Sequence, residues 1–152
     1  MPESGLSAGS DDEALLGAVE HFLRRARERQ APLLLVVDRD PAWLGPLADQ
    51  LARLNCRLLV APQRAAADLL IERLRPTLVL WGDEPDAALT LAWLERLRAL
   101  VPPPRVAVLL DRTHAEPELA AEVQALGAVG VLYRPPRPDT VLHAVRTWAR
   151  LP

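Results

Sequence analysis

The chain has 152 residues, of which 50% are hydrophobic and 25% charged, a balance typical of one globular domain with a buried core. Its formal net charge of −2 gives no general electrostatic attraction to nucleic acid or to an anionic membrane, and we expect neither as a partner. No apolar run is long enough to span a bilayer, and the first residues lack the pattern of a signal peptide. The lone Cys56 excludes an internal disulfide and, with three scattered histidines, leaves little for a zinc site, so we expect a cytoplasmic protein.

The first thirty residues fall into two parts. Residues 1–10 are rich in small and polar side chains, and we expect a disordered tail. Residues 11–30 carry apolar side chains, among them Leu15 and Phe22, at the spacing of one helix face, with acids at the start and arginines at the end. These charges match the helix dipole and predict an amphipathic N-terminal helix. Its apolar face has to pack against a partner surface. That partner is the rest of the domain, a second copy of the chain or another protein.

Residues 31–152 form an alternating pattern of five short apolar runs and five amphipathic segments. The runs are Leu33–Val37, Arg57–Ala61, Thr77–Trp81, Val106–Leu110 and Val129–Tyr133. Strands that are apolar along their whole length are typical of a parallel sheet with helices on both faces. Right-handed crossovers then make a three-layer, doubly wound α/β fold. Periodicity leaves the order of the strands open.

Four single residues have a predicted structural role. Pro41 suits the first turn of a helix, with Asp40 as its N-terminal cap. Gly127 is placed to end the helix that precedes the fifth strand, where a left-handed residue is favoured. Cys56, next to the second strand, is expected to be a small buried hydrophobe.

Three segments follow one another in a recognisable order and spacing. They are Leu34–Pro41, in which acids flank Arg39; Arg75–Leu80, the central strand; and Gly127–Pro135, the fifth strand and its turn. With these segments, residues 31–152 resemble the receiver domains of two-component response regulators. The resemblance implies a flavodoxin-like, doubly wound, five-stranded parallel sheet of order 2-1-3-4-5, with its site at the carboxyl ends of the strands.

The resemblance also implies a phosphorylation site, and this chain departs from it. Family receivers accept a phosphoryl group on an aspartate that ends the third strand, and they hold Mg²⁺ with that residue and a pair of acids after the first strand. Here Asp38 keeps the first acid, Arg39 replaces the second, and Gly82 stands at the phosphoacceptor position. Asp40 matches a further acid at the start of the helix. The implied site is therefore degenerate.

Three more positions of the family's site differ in this chain. Leu110 stands where a serine or threonine reads the phosphate, and Arg134 stands where a lysine does so. Val131 stands where a switch aromatic often lies. With Asp83, which follows Gly82, the degenerate site has seven positions, and the other six are Asp38, Arg39, Asp40, Gly82, Leu110 and Arg134.

Elementary chemistry agrees with a loss of phosphoryl transfer. Glycine at position 82 supplies no nucleophilic oxygen. Arg39 puts a fixed positive charge about where the divalent cation would lie. We therefore expect no catalysis, no bound metal and no cofactor. We also hypothesise that Arg39, together with Arg134, neutralises Asp38 and Asp83 in a permanent ion-pair cluster.

These features predict a pseudo-receiver, which keeps the receiver scaffold, lacks phosphoryl chemistry and acts as a protein interaction module in bacterial signalling or regulation. In the family, the usual partner surface is made by the fourth helix, the fifth strand and the last helix. The expected interaction residues are Val131, Tyr133, His143 and Trp148 on that surface, and Leu15 and Phe22 on the N-terminal helix. Either surface would also serve a homodimer.

Two other interpretations of the same residues stay open. In the first, Asp83 is a working phosphoacceptor, and Asp38 and Asp40 help it to hold Mg²⁺. In the second, Arg39 and Arg134 bind a small anion at the strand ends, and the domain is a ligand sensor. Metal binding separates the first interpretation from the pseudo-receiver, and a thermal shift with phosphate, sulfate or nucleotides would reveal the second.

Overall fold

The computed structural model describes residues 11–21, 25, 31–82, 87–111 and 117–150. Internal contacts divide the chain into two compact units, Met1–Ala31 and Pro32–Pro152. The predicted tail at residues 1–10 and Phe22 of the predicted helix lie outside the described residues. The second unit contains the alternating pattern of strands and helices.

The second unit is a five-stranded parallel sheet flanked by helices. In chain order the elements are β1 (Leu33–Val37), a 3₁₀ helix (Pro41–Leu44), α1 (Gly45–Arg53), β2 (Arg57–Ala61), α2 (Arg64–Leu74), β3 (Leu78–Gly82), α3 (Ala87–Arg98), β4 (Val106–Asp111), α4 (Pro117–Ala125), β5 (Gly130–Arg134) and α5 (Pro138–Trp148). All neighbouring strands are parallel, in the order β2-β1-β3-β4-β5. The predicted fold class and strand order are confirmed.

The sheet separates two apolar layers. On one face, alternate strand residues such as Val36 and Leu80 pack with α1 and α5. On the other face, residues such as Val79 and Val108 pack with α2, α3 and α4. Because β1, β3 and β4 are covered on both faces, they are buried almost throughout, which explains their unbroken apolar runs in the sequence. The edge strands β2 and β5 are more exposed.

The segment after β1 differs from the prediction. We expected Asp40 to cap a helix that begins at Pro41, but Asp40 makes no side-chain cap hydrogen bond, and the chain first forms a 3₁₀ turn. The reason is Pro46, which has no N–H to donate to the Ala42 carbonyl, as an α-helix starting at Pro41 would require. The Gly45 N–H donates to that carbonyl instead, and α1 starts at Gly45.

Two glycines are fixed by local geometry. Gly127 follows α4 with a φ of +101°, the left-handed conformation predicted for a helix cap at this position. Gly130 opens β5 beneath the indole of Trp148, and a Cβ added at Gly130 would collide with the ring. The main-chain carbonyl of Trp148 accepts a 3.0 Å hydrogen bond from Arg105 Nη1. Trp148 is therefore held against the domain by its ring and by its main chain.

The first unit contains the N-terminal helix, defined here as the helical residues 11–21 and 25. Its described side chains are exposed, and Leu15 is 65% exposed. Across the described ranges, no helix is both long enough and apolar enough to cross a bilayer.

Cys56 is buried, as expected for a small hydrophobe, and belongs to the layer of α1 and α5. Burial raises the pKa of its thiol, and a hydrogen bond with the Leu34 backbone and the charge of Arg57 offset this effect only in part. The thiol is therefore protonated and shielded at neutral pH.

Thiol reactivity checks the burial of Cys56. We expect Cys56 to react with a disulfide reagent at least about tenfold more slowly in the folded domain than in urea. Equal reaction rates in the two states would contradict the burial.

The raised pKa of the Cys56 thiol also makes the stability of the domain depend on pH. Because the folded state holds the thiol proton more tightly than the unfolded chain, Cys56 contributes to the free energy of unfolding below the ordinary thiol pKa. That contribution is lost as the pH rises past this value.

Gly130→Ala tests the contact with Trp148. The added methyl group has to displace the ring, and overpacking of this kind lowers the free energy of unfolding by about 1–3 kcal/mol. Gly45→Ala is the matched control, because nothing lies within 4 Å of a Cβ added there and the backbone is already right-handed helical. We expect the control to be neutral or stabilising by up to about 1 kcal/mol. Urea unfolding measures both variants, and equal stabilities would refute the packing argument.

Candidate functional site

The carboxyl ends of β1, β3 and β5 bring three of the predicted site residues together. Val37 pairs with Trp81 in the sheet, so Asp38 and Gly82 follow side by side at the ends of β1 and β3. Arg134 ends β5. All three residues point toward the side of the sheet that α1 and α5 cover, because a Cβ at Gly82 would meet both Arg134 and Asp38.

The ion pair between Asp38 and Arg134 is the centre of this cluster. Arg134 Nη2 lies 2.9 Å from Asp38 Oδ1. The side chain of Asp38 is 3% exposed and that of Arg134 is 27% exposed, so the pair is largely shielded from water. A carboxylate at this depth needs a counter-charge and hydrogen-bond donors, because a buried unpaired charge is strongly destabilising.

Two further donors satisfy Asp38. Trp43 Nε1 donates a 2.7 Å hydrogen bond to Asp38 Oδ2, and the main-chain N–H of Asp40 donates a 3.0 Å hydrogen bond to Asp38 Oδ1. The 3₁₀ turn after β1 places the Trp43 indole for this contact. Both oxygens of Asp38 are therefore engaged by donors from the protein itself.

Gly82 leaves free the space that Arg134 uses. A Cβ at position 82 would lie 2.7 Å from Arg134 Nη2 and 3.0 Å from Asp38 Cγ. Strands β4 and β3 lie between β5 and β1, so the arginine reaches Asp38 by crossing Gly82. The predicted phosphoacceptor position thus points into the site, but it offers no nucleophile.

Trp81, which precedes Gly82 in β3, fixes the face of the sheet that position 82 occupies. Trp81 is fully buried on the opposite face, where its ring stacks on Trp93 of α3 with centroids 3.7 Å apart. Trp81 Nε1 donates a 3.3 Å hydrogen bond to Thr90 Oγ1, and Trp93 Nε1 donates a 2.7 Å hydrogen bond to Asp68 Oδ1 of α2. Because side chains alternate along a strand, this anchor directs position 82 toward α1 and α5.

Leu110 lies on the opposite face of the sheet from Gly82, and its match to the phosphate-reading position of the family stays a prediction. Leu110 is fully buried among side chains of α2, α3 and α4, on the far face of the sheet from Gly82. Asp111 pairs with Arg134 in the register of β4 and β5 and is therefore the β4 residue on the face of the site. The resemblance supplied the position along β4, but the register decides which face the side chain occupies.

One pair of the hypothesised ion-pair cluster is seen among the described residues, that of Arg134 with Asp38. Arg39 and Asp40 are exposed next to the site. Asp83 lies outside the described residues. A contribution of Arg39 to neutralising Asp38 stays a prediction.

The predicted interaction residues near β5 divide between the two faces of the sheet. Val131 packs with the layer of α2, α3 and α4, and Tyr133, which is 36% exposed, follows it on the same face. Trp148 packs on the opposite layer over Gly130 and is half-buried, and its role in an interaction stays a prediction. His143 is exposed on α5.

Trp43 is the site residue that the sequence analysis missed. Its indole stands five residues beyond Asp38 and reaches back to it through the 3₁₀ turn. Neither hydrophobic periodicity nor a sequence motif predicts this contact between Trp43 and Asp38. The one usable signal was the pair Gly45-Pro46, which delays the start of α1 and creates the turn.

A cavity of about 500 Å³ lies at the opposite end of the sheet, between the end of α2 and the connection from α3 to β4. Its lining includes Ile71, Arg75, Thr77, Val101 and Arg105. Thr77 and Arg105 precede β3 and β4, whereas the Asp38–Arg134 pair follows the strands. The cavity is therefore not part of the site.

The strand order β2-β1-β3-β4-β5 is that of the flavodoxin-like fold, which receiver domains share. No family model and no curated protein matches the chain. Among solved structures, the chain is similar to a response regulator from Thermotoga maritima, with a TM-score of 0.69 and 22% identity over 79% of this chain and 98% of that chain.

Two further solved structures agree on the fold. An orphan response regulator of H. pylori has a TM-score of 0.64 and 19% identity over 80% of this chain and 97% of that chain. NtrX from Brucella abortus, in complex with ADP, has a TM-score of 0.64 and 21% identity over 79% of this chain and 26% of that chain. At these identities the likeness shows the fold, and the function has to be inferred from the site.

Removal of Arg134 tests what the ion pair contributes to stability. We expect Arg134→Ala to lower the free energy of unfolding by about 3 kcal/mol, because Asp38 stays buried without its counter-charge. Arg134→Lys keeps the charge but loses the planar fork, and its effect should fall between those of the alanine variant and the unmodified chain.

The matched control for this prediction is Arg96→Ala. Arg96 Nη2 lies 3.0 Å from Asp68 Oδ2, but the two side chains are 61% and 41% exposed. An exposed pair of this kind contributes roughly 0–1 kcal/mol. If urea unfolding gave the same loss for both alanine variants, the special position of the Asp38–Arg134 pair would be contradicted.

Proposed function

We propose that the chain is a pseudo-receiver, a protein interaction module in bacterial signalling that works without being phosphorylated and without catalysing a reaction. The observation that supports this most strongly is the position of Arg134. Its guanidinium occupies the space in front of Gly82 and pairs with Asp38. In the receivers that this chain resembles, that space belongs to the acceptor carboxylate. In this chain a permanent cation takes its place.

The engagement of Asp38 also argues against a magnesium ion at the site. Mg²⁺ binds through oxygen ligands in a nearly octahedral arrangement. Both Asp38 oxygens already accept hydrogen bonds, and the adjacent guanidinium repels a divalent cation. Within the part of the chain that the structure describes, no group of three His, Cys, Asp or Glu side chains is placed to hold a metal ion. Phosphoryl transfer depends on such an ion to spread the developing charge.

A permanent ion pair gives the site a charge that does not vary with a signal. A phosphoryl group would add roughly −1.5 to −2 charges at pH 7, which is the change that a phosphorylated domain transmits to its surfaces. With the Asp38–Arg134 pair formed and no acceptor at Gly82, we expect no such change of charge at this site. We propose that its output is set by which proteins bind it and not by a modification.

The β5 edge is the surface of the second unit that we propose for a protein partner. β5 is an edge strand of the sheet, and the adjacent Val129 and Tyr133 are 38% and 36% exposed. His143 adds an exposed polar side chain on α5. Because the ring of Trp148 is packed over Gly130, it gives rigidity to this edge and contributes less contact area than its size suggests.

A backbone NMR titration of the full chain with Mg²⁺, followed by beryllofluoride as a stand-in for the phosphoryl group, tests the proposal. We expect the amide resonances around Asp38 and Gly82 to remain unshifted, because the carboxylate is occupied and the acceptor is missing. The matched positive control is the triple variant R39D/G82D/R134K, which supplies two acids and a smaller cation. We expect this variant to show saturable shifts with Mg²⁺.

The other outcomes of the titration are informative. Saturable shifts in the unmodified chain would overturn the proposal and make Asp83 the candidate phosphoacceptor. Shifts with phosphate or sulfate, and none with Mg²⁺, would favour a small-anion sensor at the strand ends.

A further inference from the structure

The cavity between the end of α2 and the connection from α3 to β4 has the size of a small-molecule site. Its volume is about 500 Å³, and sites of this kind usually have volumes of ~300–1,000 Å³. All of its lining residues lie between Ile71 and Arg105, within the second unit. The cavity is therefore a candidate binding site that the second unit forms from its own residues.

The polar part of the lining offers donors and positive charge. Arg75 and Arg105 both line the cavity, and within the described part of the chain neither guanidinium forms an ion pair. Arg105 uses Nη1 to bind the Trp148 carbonyl, which leaves its other N–H groups as donors. Thr77 Oγ1 accepts a 3.0 Å hydrogen bond from the Leu33 N–H, so its hydroxyl proton is available to donate. Such donors suit a carboxylate.

The apolar part of the lining favours a ligand with an apolar body. Ile71 is buried, whereas Val101 is 91% exposed and Leu100 is 37% exposed. A ligand that covers these side chains removes apolar surface from water, which an inorganic anion cannot do. The three prolines Pro102–Pro104 complete this wall, and their rings fix φ, so the wall is stiff before a ligand binds.

Arg75 has a backbone conformation that suits a different residue. It follows α2 with a φ of +47°, in the left-handed region. Glycine is favoured at this position of a helix end, because a Cβ is unfavourable in that region. The side chain of Arg75 lines the cavity. A role in binding would account for an arginine where the backbone favours glycine.

We propose that this cavity binds a small organic acid. The carboxylate of the ligand pairs with the guanidinium groups of Arg75 and Arg105, and its apolar body packs against the apolar wall. Glu72 also lines the cavity, so the charges of these three side chains, two positive and one negative, leave a net charge of +1. This inference goes beyond the proposed function, because it makes no use of the Asp38–Arg134 pair.

A backbone NMR titration of the full chain with benzoate tests the site. We expect saturable shifts of the Thr77, Val101 and Arg105 amide resonances. Benzamide is the matched control ligand, because it has nearly the same shape without the charge, and it should bind at least about tenfold more weakly. Inorganic phosphate carries charge without an apolar body, and it should also bind more weakly than benzoate.

Arg75→Gly separates binding from folding. Glycine suits the left-handed backbone, so the urea midpoint should be unchanged or higher, whereas the Kd for benzoate should rise at least about tenfold. Arg73→Ala is the matched control, since Arg73 is an exposed arginine of α2 outside the lining, and it should leave the Kd unchanged. Glu72→Gln should lower the Kd, because it removes the repulsion between two carboxylates.

Three results would overturn the proposal. They are the absence of saturable shifts with benzoate, binding of benzamide or phosphate as tight as that of benzoate, and a benzoate Kd that Arg75→Gly leaves unchanged. The benzoate titration is followed at the amino ends of the strands, whereas the Mg²⁺ titration is followed around Asp38 and Gly82. Failure of the organic-acid site and failure of the pseudo-receiver are therefore distinguishable.

Discussion

The buried carboxylate of Asp38 is the constraint on which the rest of the site depends. A charge whose side chain is only 3% exposed needs a partner in the interior of the protein. Arg134 supplies the counter-charge from the far edge of the sheet, and Gly82 leaves its path open. Trp43 and the main-chain N–H of Asp40 satisfy the acceptor capacity that remains. The need to keep one carboxylate paired thus explains each residue of the cluster.

In the function that we propose, the same constraint separates this domain from a receiver that is switched by phosphate. A switch needs a group that gains and loses charge, together with surroundings that respond to the change. Here the acid of β1 is already neutralised by a side chain of the same fold, and the position on β3 that would accept the phosphoryl group is glycine. The scaffold of the receiver fold is retained, with an apolar layer of side chains on each face of the sheet. The proposed loss of the chemistry is therefore compatible with retention of the fold.

Much of the fold and part of the site could be predicted from the sequence. Apolar runs located the strands, because parallel strands covered on both faces are apolar throughout, and the resemblance supplied the strand order. The resemblance placed Asp38, Gly82 and Arg134 together at the carboxyl ends of the strands. The placement of Leu110 and the contact between Trp148 and Gly130 depend on strand register and on packing between distant segments, which periodicity does not encode. The contact of Trp43 depends on a turn created by the missing N–H of Pro46.

In the proposed pseudo-receiver, the site cannot take up a phosphoryl group. We would test this first by intact-protein mass spectrometry after incubation of the full chain with acetyl phosphate and Mg²⁺, beside a receiver that retains its acceptor aspartate. We expect the mass of this chain to stay unchanged while the reference receiver gains one acid-labile phosphoryl group. A phosphoryl group gained by this chain, and mapped to Asp83, would refute the pseudo-receiver and favour a working phosphoacceptor.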